Sequence, residues 1–301
     1  MNDMGQMTET NNYNPLIITD DTTNARYYGG NQDWYSSNTM AYAGCGSVAA
    51  ANMLRVLAGR YPDAFTGTDS EIGTLTDEKY YKSSLLKLMA DIYNTMLVFE
   101  TPLIRRIYDF GKQKNRGRKL YKYLIPSFGM SICGFIQGTL RFCESKGLLL
   151  HSHSLPTAFI SRKRGIDFIK RGLETSGSVV ILTSLNRHPL KLYNGECGRL
   201  EKGYDTKYGM KSHFALITGI ESQDDVDTLV ISTWGRVASV EYSQLYKSWQ
   251  SPLAFTSCLF YFTPVKSKRV VKTDKMLAIA ALIKAVFRGL FGWIDIHRNE
   301  F

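Results

Sequence analysis

Cysteine and histidine are scarce in these 301 residues, at five each, and there are only eight prolines. The cysteines (Cys45, Cys133, Cys143, Cys197 and Cys258) are odd in number, far apart and never arranged as CxxC. That pattern argues against a disulfide framework and against a zinc site, and it suits a reducing, cytoplasmic setting in which thiols stay free. Also missing is a basic and apolar leader: the first twenty residues are polar and mildly acidic, so no secretory signal is expected. No internal repeat is visible. Core-forming residues are plentiful, with 44% of the chain hydrophobic, enough for one large domain or two lobes around a cleft.

Charge is unbalanced. There are 37 basic against 27 acidic residues, a net charge of +10. The densest run holds Lys112, Lys114, Arg116, Arg118, Lys119 and Lys122. Such a run is either a phosphate-binding patch or a solvated helix connection. Neither zinc-finger spacing nor an RNP-like aromatic strand accompanies it, so the solvated reading is preferred and no specific nucleic-acid partner is expected. His151 and His153 lack a third ligand nearby and are read as polar loop residues rather than a metal site. No metal and no cofactor are expected.

Patterning divides the chain. Residues 1–30, rich in Asn and Thr, predict an extended N-terminal arm. Residues 44–60 predict a helix, and apolar residues at three and four continue helical character from Thr76 to about Leu150, broken by Pro102 and Pro126. Ile132–Lys146 and Ile166–Leu173 are two further predicted helices. The period then changes. Val179–Thr183, Phe214–Ile220, Thr228–Trp234, Val237–Tyr242 and Cys258–Thr263 read as strands. Helices followed by antiparallel strands make an α+β protein, with a catalytic domain over residues 31–265. It divides into a helical lobe of about 31–175 and a β lobe of about 176–265.

Residues 266–301 predict a C-terminal amphipathic helix and tail. Met276, Ile279, Ile283, Val286, Phe287 and Leu290 share one face, with Lys284 and Arg288 off it. The apolar run is shorter than the roughly 20 residues a membrane span needs. Packing on its own domain or on a second copy is expected ahead of contact with a membrane surface.

The chemistry concentrates at two points. Gly44-Cys45-Gly46-Ser47 runs straight into Val48–Leu57, which places Cys45 at a helix N-terminus. Free N–H groups and the helix dipole there favour an anion, which lowers a thiol's pKa. Far downstream, Ser212-His213 opens the apolar run Phe-Ala-Leu-Ile-Thr-Gly, and Ser232-Thr233-Trp234-Gly235 closes the strand that returns beside it. A cysteine at a helix start and a histidine at a strand start are the pair that thiol catalysis needs.

In these residues and their order the chain resembles the papain-like cysteine peptidases, in particular a bacterial branch near the double-glycine leader peptidases. The resemblance covers roughly residues 30–60 and 175–265. It implies a papain-like fold with Cys45 as nucleophile on the helical lobe and His213 as general base on the β lobe. It puts the group that orients the imidazole at Ser232, where the family carries Asn or Asp. Asp205, Asp224, Asp225 and Asp227 are the carboxylates within reach by sequence. The family also places an amide shortly before the nucleophile, to hold the oxyanion together with the Cys45 N–H. Asn38 lies seven residues upstream and Gln32 thirteen. The family's spacing is closer to the former, so Asn38 is the candidate, with a plain loop or cap residue as its alternative. The implied function is hydrolysis of a peptide or related amide. A catalytically weakened binding protein and an acyl-transferring enzyme with the same dyad are the alternatives.

Overall fold

The structure, a computed structural model, describes residues 16–96, 98–100, 127–158, 160–183, 190–196, 199–204, 210, 212–223, 226–250 and 257–265. The basic run over 112–122, the helix and tail expected over 266–301, Cys197, Asp205, Asp224 and Asp225 all lie outside the described residues.

Where composition predicts an extended arm, residues 16–30 instead form a hairpin anchored in the core. Strand β1 (Ile17–Thr19) pairs antiparallel with β2 (Arg26–Tyr28) and parallel with β3 (Tyr80–Tyr81). Leu16 and Ile18 are buried, and Asp20 closes the β1–β2 turn by accepting the N–H groups of Thr22 and Thr23. The Asn- and Thr-rich composition obscures this hairpin because its polar residues serve the turn.

Helices follow. Helix α1 (Asn38–Ala43) leads through Gly44 into α2 (Cys45–Arg60), which is buried along nearly its whole length. Short turns α3 (Pro62–Phe65) and α4 (Ser70–Gly73) precede α5 (Lys82–Thr95). Strands β4 (Val98–Glu100) and β5 (Ser127–Met130) pair before α6 (Ile132–Ser145), whose start is capped by the Ser131 hydroxyl.

The remaining strands build one antiparallel sheet. In chain order they are β6 (Leu150–Pro156), β7 (Val179–Thr183), β8 (Tyr193–Glu196), β9 (Arg199–Tyr204), β10 (His213–Gln223), β11 (Val226–Thr233), β12 (Arg236–Glu241) and β13 (Cys258–Pro264). In space the order is β6-β13-β7-β10-β11-β12-β8-β9. Because β6 pairs with β13, the sheet reaches back before residue 176, and the expected lobe boundary there does not hold. His151 and His153 lie on this strand and not in a loop. Helix α7 (Arg162–Ser176) is longer than its apolar residues predict. Helix α8 (Tyr242–Trp249) sits where no helix is expected, its aromatic content having hidden the 3.6 period.

Both faces of the sheet are covered, which is why its central strands read as continuous apolar runs. Side chains alternate by two. Val180, Leu182, Phe214, Leu216 and Phe260 join a core with α2, α5 and α6, while Val179, Ile181, Ala215, Ile217 and Ile231 join a second core with α7 and α8. The Phe214 ring stacks on Phe135 of α6 at 4.8 Å. Burying one such ring is worth about 1.5–3 kcal/mol, which anchors the backbone beside His213. The fold is thus mixed α+β, with an N-terminal helical region and a C-terminal antiparallel sheet. Among the described residues no helix is long and apolar enough to cross a membrane.

Candidate active site

Cys45 is the first residue of α2, as its sequence context predicts. Gly44 makes this possible by having no side chain. A Cβ there would collide with the Met40 carbonyl oxygen and lie 2.5 Å from the Tyr35 ring. Down the helix, Cys45, Val48, Ala49 and Asn52 fall at i, i+3, i+4 and i+7, so they share one face. That face lines a small cavity of about 10 Å³, room for about one water, and His213, Thr233 and Trp234 line it from the sheet. The two candidates for thiol catalysis therefore open on the same space. No hydrogen bond joins Cys45 to His213 in the structure.

His213 is the first residue of β10 and is held on several sides. Its N–H donates to Thr183 Oγ1 at 3.1 Å, and the same hydroxyl donates to the His213 carbonyl at 3.2 Å. Its ring stacks on Trp234 with centroids 4.3 Å apart. Trp234 reaches that position from a two-residue turn between Thr233 and Arg236, with φ of 49° at Trp234 and 72° at Gly235. Positive φ at both central residues is what a tight hairpin of this hand requires, and it strains a residue as bulky as tryptophan. Ser212, directly before His213, also has a positive φ of 53°. Strained backbone on both sides of one imidazole is a pattern found at functional sites.

The imidazole's partner is Thr233, not Ser232. His213 Nε2 lies 2.8 Å from Thr233 Oγ1, whereas the Ser232 hydroxyl donates to the Tyr28 carbonyl at 2.8 Å. The period of two explains the correction: Ile217 pairs with Ile231, so His213 and Thr233 share a parity that Ser232 does not. Asp227 is far from the ring, at the other end of the hairpin, where it accepts from Ser222.

The amide side chain that reaches the cavity from the segment before Cys45 is Gln32, not Asn38. Asn38 opens α1 behind the Ser37 cap and does not line the cavity. Gln32 does line it, and its Oε1 is buried with no hydrogen-bond partner. A buried polar atom without a partner calls for an explanation, and a binding or catalytic role is one. Gln32 lies in a short turn (Gln32–Trp34) at the end of the N-terminal segment, which folds back over the site. Tyr28 N–H donates to the Gly235 carbonyl, Gly235 N–H donates to the Gly30 carbonyl, and Gly30 N–H donates to Asn52 Oδ1 at 2.9 Å. A Cβ on Gly29 would come within 2.6 Å of both Asn52 and Ser232. Lys82 adds a clamp: its ammonium pairs with Asp20 at 2.8 Å and lies over the Tyr27 and Trp34 rings. The thirteen-residue spacing arises because α1 intervenes between this turn and Cys45.

Electrostatically the pair is neutral. Burial pushes the Cys45 thiol's pKa up, and the N–H groups of Phe214, Gly46 and Cys45 itself bring it only part of the way back. The lowered pKa expected from the helix start is therefore corrected: desolvation outweighs the dipole. Burial alone lowers the pKa of His213 to about 3. At rest the cavity is lined by an uncharged thiol and an uncharged imidazole. Since Nε2 faces Thr233, Nδ1 is the nitrogen left to take a thiol proton. Cys133, Cys143 and Cys258 are free thiols elsewhere in the fold. No protein-family model matches this chain, and no curated protein matches it.

Proposed function

We propose that the chain is a papain-like thiol hydrolase acting on a peptide or related amide. One observation carries this reading: Cys45 at a helix start and His213 at a strand start line one cavity with Gln32, whose amide oxygen is buried without a hydrogen-bond partner. As Cys45 Sγ attacks the substrate carbonyl, its proton passes to His213 Nδ1. Thr233 Oγ1 accepts from Nε2–H and keeps the ring in the tautomer that can receive it. The oxyanion forms between the Cys45 N–H and Gln32, whose terminal amide turns to present Nε2–H. Collapse returns the His213 proton to the leaving amine and leaves a thioester on Cys45. Water activated by the same imidazole then releases the acid, and an amine arriving instead would make the outcome acyl transfer.

A hydroxyl orients an imidazole less firmly than a carboxylate or carboxamide, which favours a slow enzyme or a binding protein as the second reading.

Reaction with p-nitrophenyl acetate separates the two. The intact chain is expected to release a burst of one p-nitrophenol per protein and to carry the acetyl group on Cys45, with Cys45→Ala abolishing both. A full-size burst from Cys45→Ala, or no burst from the intact chain, rules out the hydrolase.

A further inference from the structure

The Gly44 carbonyl and the Cys45 N–H belong to one planar peptide unit, so whatever fixes the first also aims the second. The Gly44 oxygen accepts two hydrogen bonds, from Ser47 Oγ at 2.8 Å and from Val48 N–H at 3.1 Å. A serine hydroxyl has a single proton, and that of Ser47 is given to Gly44. The contact of 2.7 Å between Tyr35 OH and Ser47 Oγ is therefore a bond in which tyrosine donates. Burial pushes the Tyr35 hydroxyl's pKa up, which keeps that proton in place. Both side chains are enclosed, Tyr35 at 7% exposure and Ser47 at 0%. The Tyr35 ring also occupies the space that a side chain at position 44 would need. Tyr35 is in turn tied to the opposite donor, because its N–H donates to the Gln32 carbonyl at 3.2 Å.

We infer that Tyr35 and Ser47 are positioning residues of the oxyanion site: their hydrogen-bond chain fixes the Gly44–Cys45 peptide and directs the Cys45 N–H toward the developing anion, an assignment that presupposes the thiol-hydrolase reading. One short turn then serves both donors. Gln32 supplies the first directly, and Tyr35, three residues on, governs the second through Ser47 and Gly44. A chain of hydrogen bonds of this kind also polarises each member and strengthens the last donor.

The test compares two reactions of the same sulfur. Iodoacetamide alkylates Cys45 by displacing iodide and develops no oxyanion. p-Nitrophenyl acetate acylates it through a tetrahedral oxyanion and expels p-nitrophenolate. Tyr35→Phe keeps the ring against Gly44 and removes only the hydroxyl. Ser47→Ala removes the direct bond to the peptide. Losing an oxyanion donor outright costs roughly 100- to 1000-fold, so misaiming one is expected to slow acylation about tenfold in Tyr35→Phe and more in Ser47→Ala. Alkylation of Cys45 should be unchanged in both. Equal slowing of the two reactions would mean that the residues merely hold the fold, and unchanged acylation would mean that they do nothing for the anion; either overturns the inference. If Ser47→Ala does not fold, Tyr35→Phe decides alone. Absence of acylation in the unsubstituted protein would instead remove the hydrolase reading itself.

Discussion

His213 and His153 are held in nearly the same way. Each stands on a strand of the large sheet and stacks on an aromatic ring, with centroids 4.3 Å from Trp234 and 4.4 Å from Tyr261. Each meets a threonine hydroxyl through Nε2, at 2.8 Å for Thr233 and 3.3 Å for Thr263. The difference lies in their surroundings. His213 sits inside the sheet and shares a cavity with Cys45 and Gln32. His153 sits on the outermost strand, half-buried, with His151 as its near neighbour at 4.6 Å. A stack and a hydroxyl orient an imidazole, but they do not make it a base. What sets His213 apart is a cysteine on the same cavity, and that cysteine comes from α2.

The largest expected effect tests this contrast directly. His213→Ala should slow the p-nitrophenol burst about 1000-fold or more, the scale on which members of a nucleophile–base pair act. His153→Ala should leave the burst unchanged, although it removes the same stack and the same kind of hydrogen bond. Equal losses from the two would mean that the burst reports sheet integrity.

The next effect separates the two amides. Gln32→Ala is expected to slow acylation about 100-fold, since it removes one oxyanion donor. Asn38→Ala should have no effect on the rate, because Asn38 opens α1 and does not reach the cavity. Loss of rate in Asn38→Ala alone would return the oxyanion site to the position suggested by spacing.

These pairs also show what could be read from the sequence. Cys45 and His213 were legible because each marks a change of period: small residues give way to an alanine-rich helix at one, and a polar turn gives way to an apolar strand at the other. The α+β order was legible for the same reason. Thr233 was missed by a single residue, since a strand's two faces differ by one position and only the register decides between them. Gln32 was harder. Its residue type does not mark it, and its place on the cavity depends on the N-terminal segment folding back onto the Trp234–Gly235 turn, a contact about two hundred residues distant in the chain. A visible signal was the Gly29–Gly30 pair just before it, where the side chains of Asn52, Ser232, Met89, Leu85 and Val48 crowd the chain. The thiol's raised pKa was not legible at all, because the helix dipole belongs to local sequence and burial to the tertiary fold. Strand β6 was hidden by its alternation of histidine and serine, which resembles a loop until β13 pairs with it.

The smallest effect concerns acid stability, and it sharpens the contrast between the two histidines. His213 has a pKa near 3 in the fold because burial opposes its charge, against about 6.5 in an unfolded chain. Between those values the unfolded chain binds a proton there and the folded one does not. Stability must then rise with pH across this window and be lost as pH falls from about 6.5 toward 3. One proton gives a slope of at most about 1.4 kcal/mol per pH unit. Carboxylates with lowered pKa values, Asp20 beside Lys82 and Asp69 at its helix cap, lose stabilisation in acid as well, so the slope of the unsubstituted protein is a sum. Differences between variants isolate the histidine. In urea melts at stepped pH, His213→Asn is expected to flatten the acid limb, while His153→Asn should leave it as steep as before. An unaltered limb in His213→Asn would mean that the imidazole is charged in the fold at mildly acidic pH, and the neutral thiol–imidazole resting state would have to give way to an ion pair.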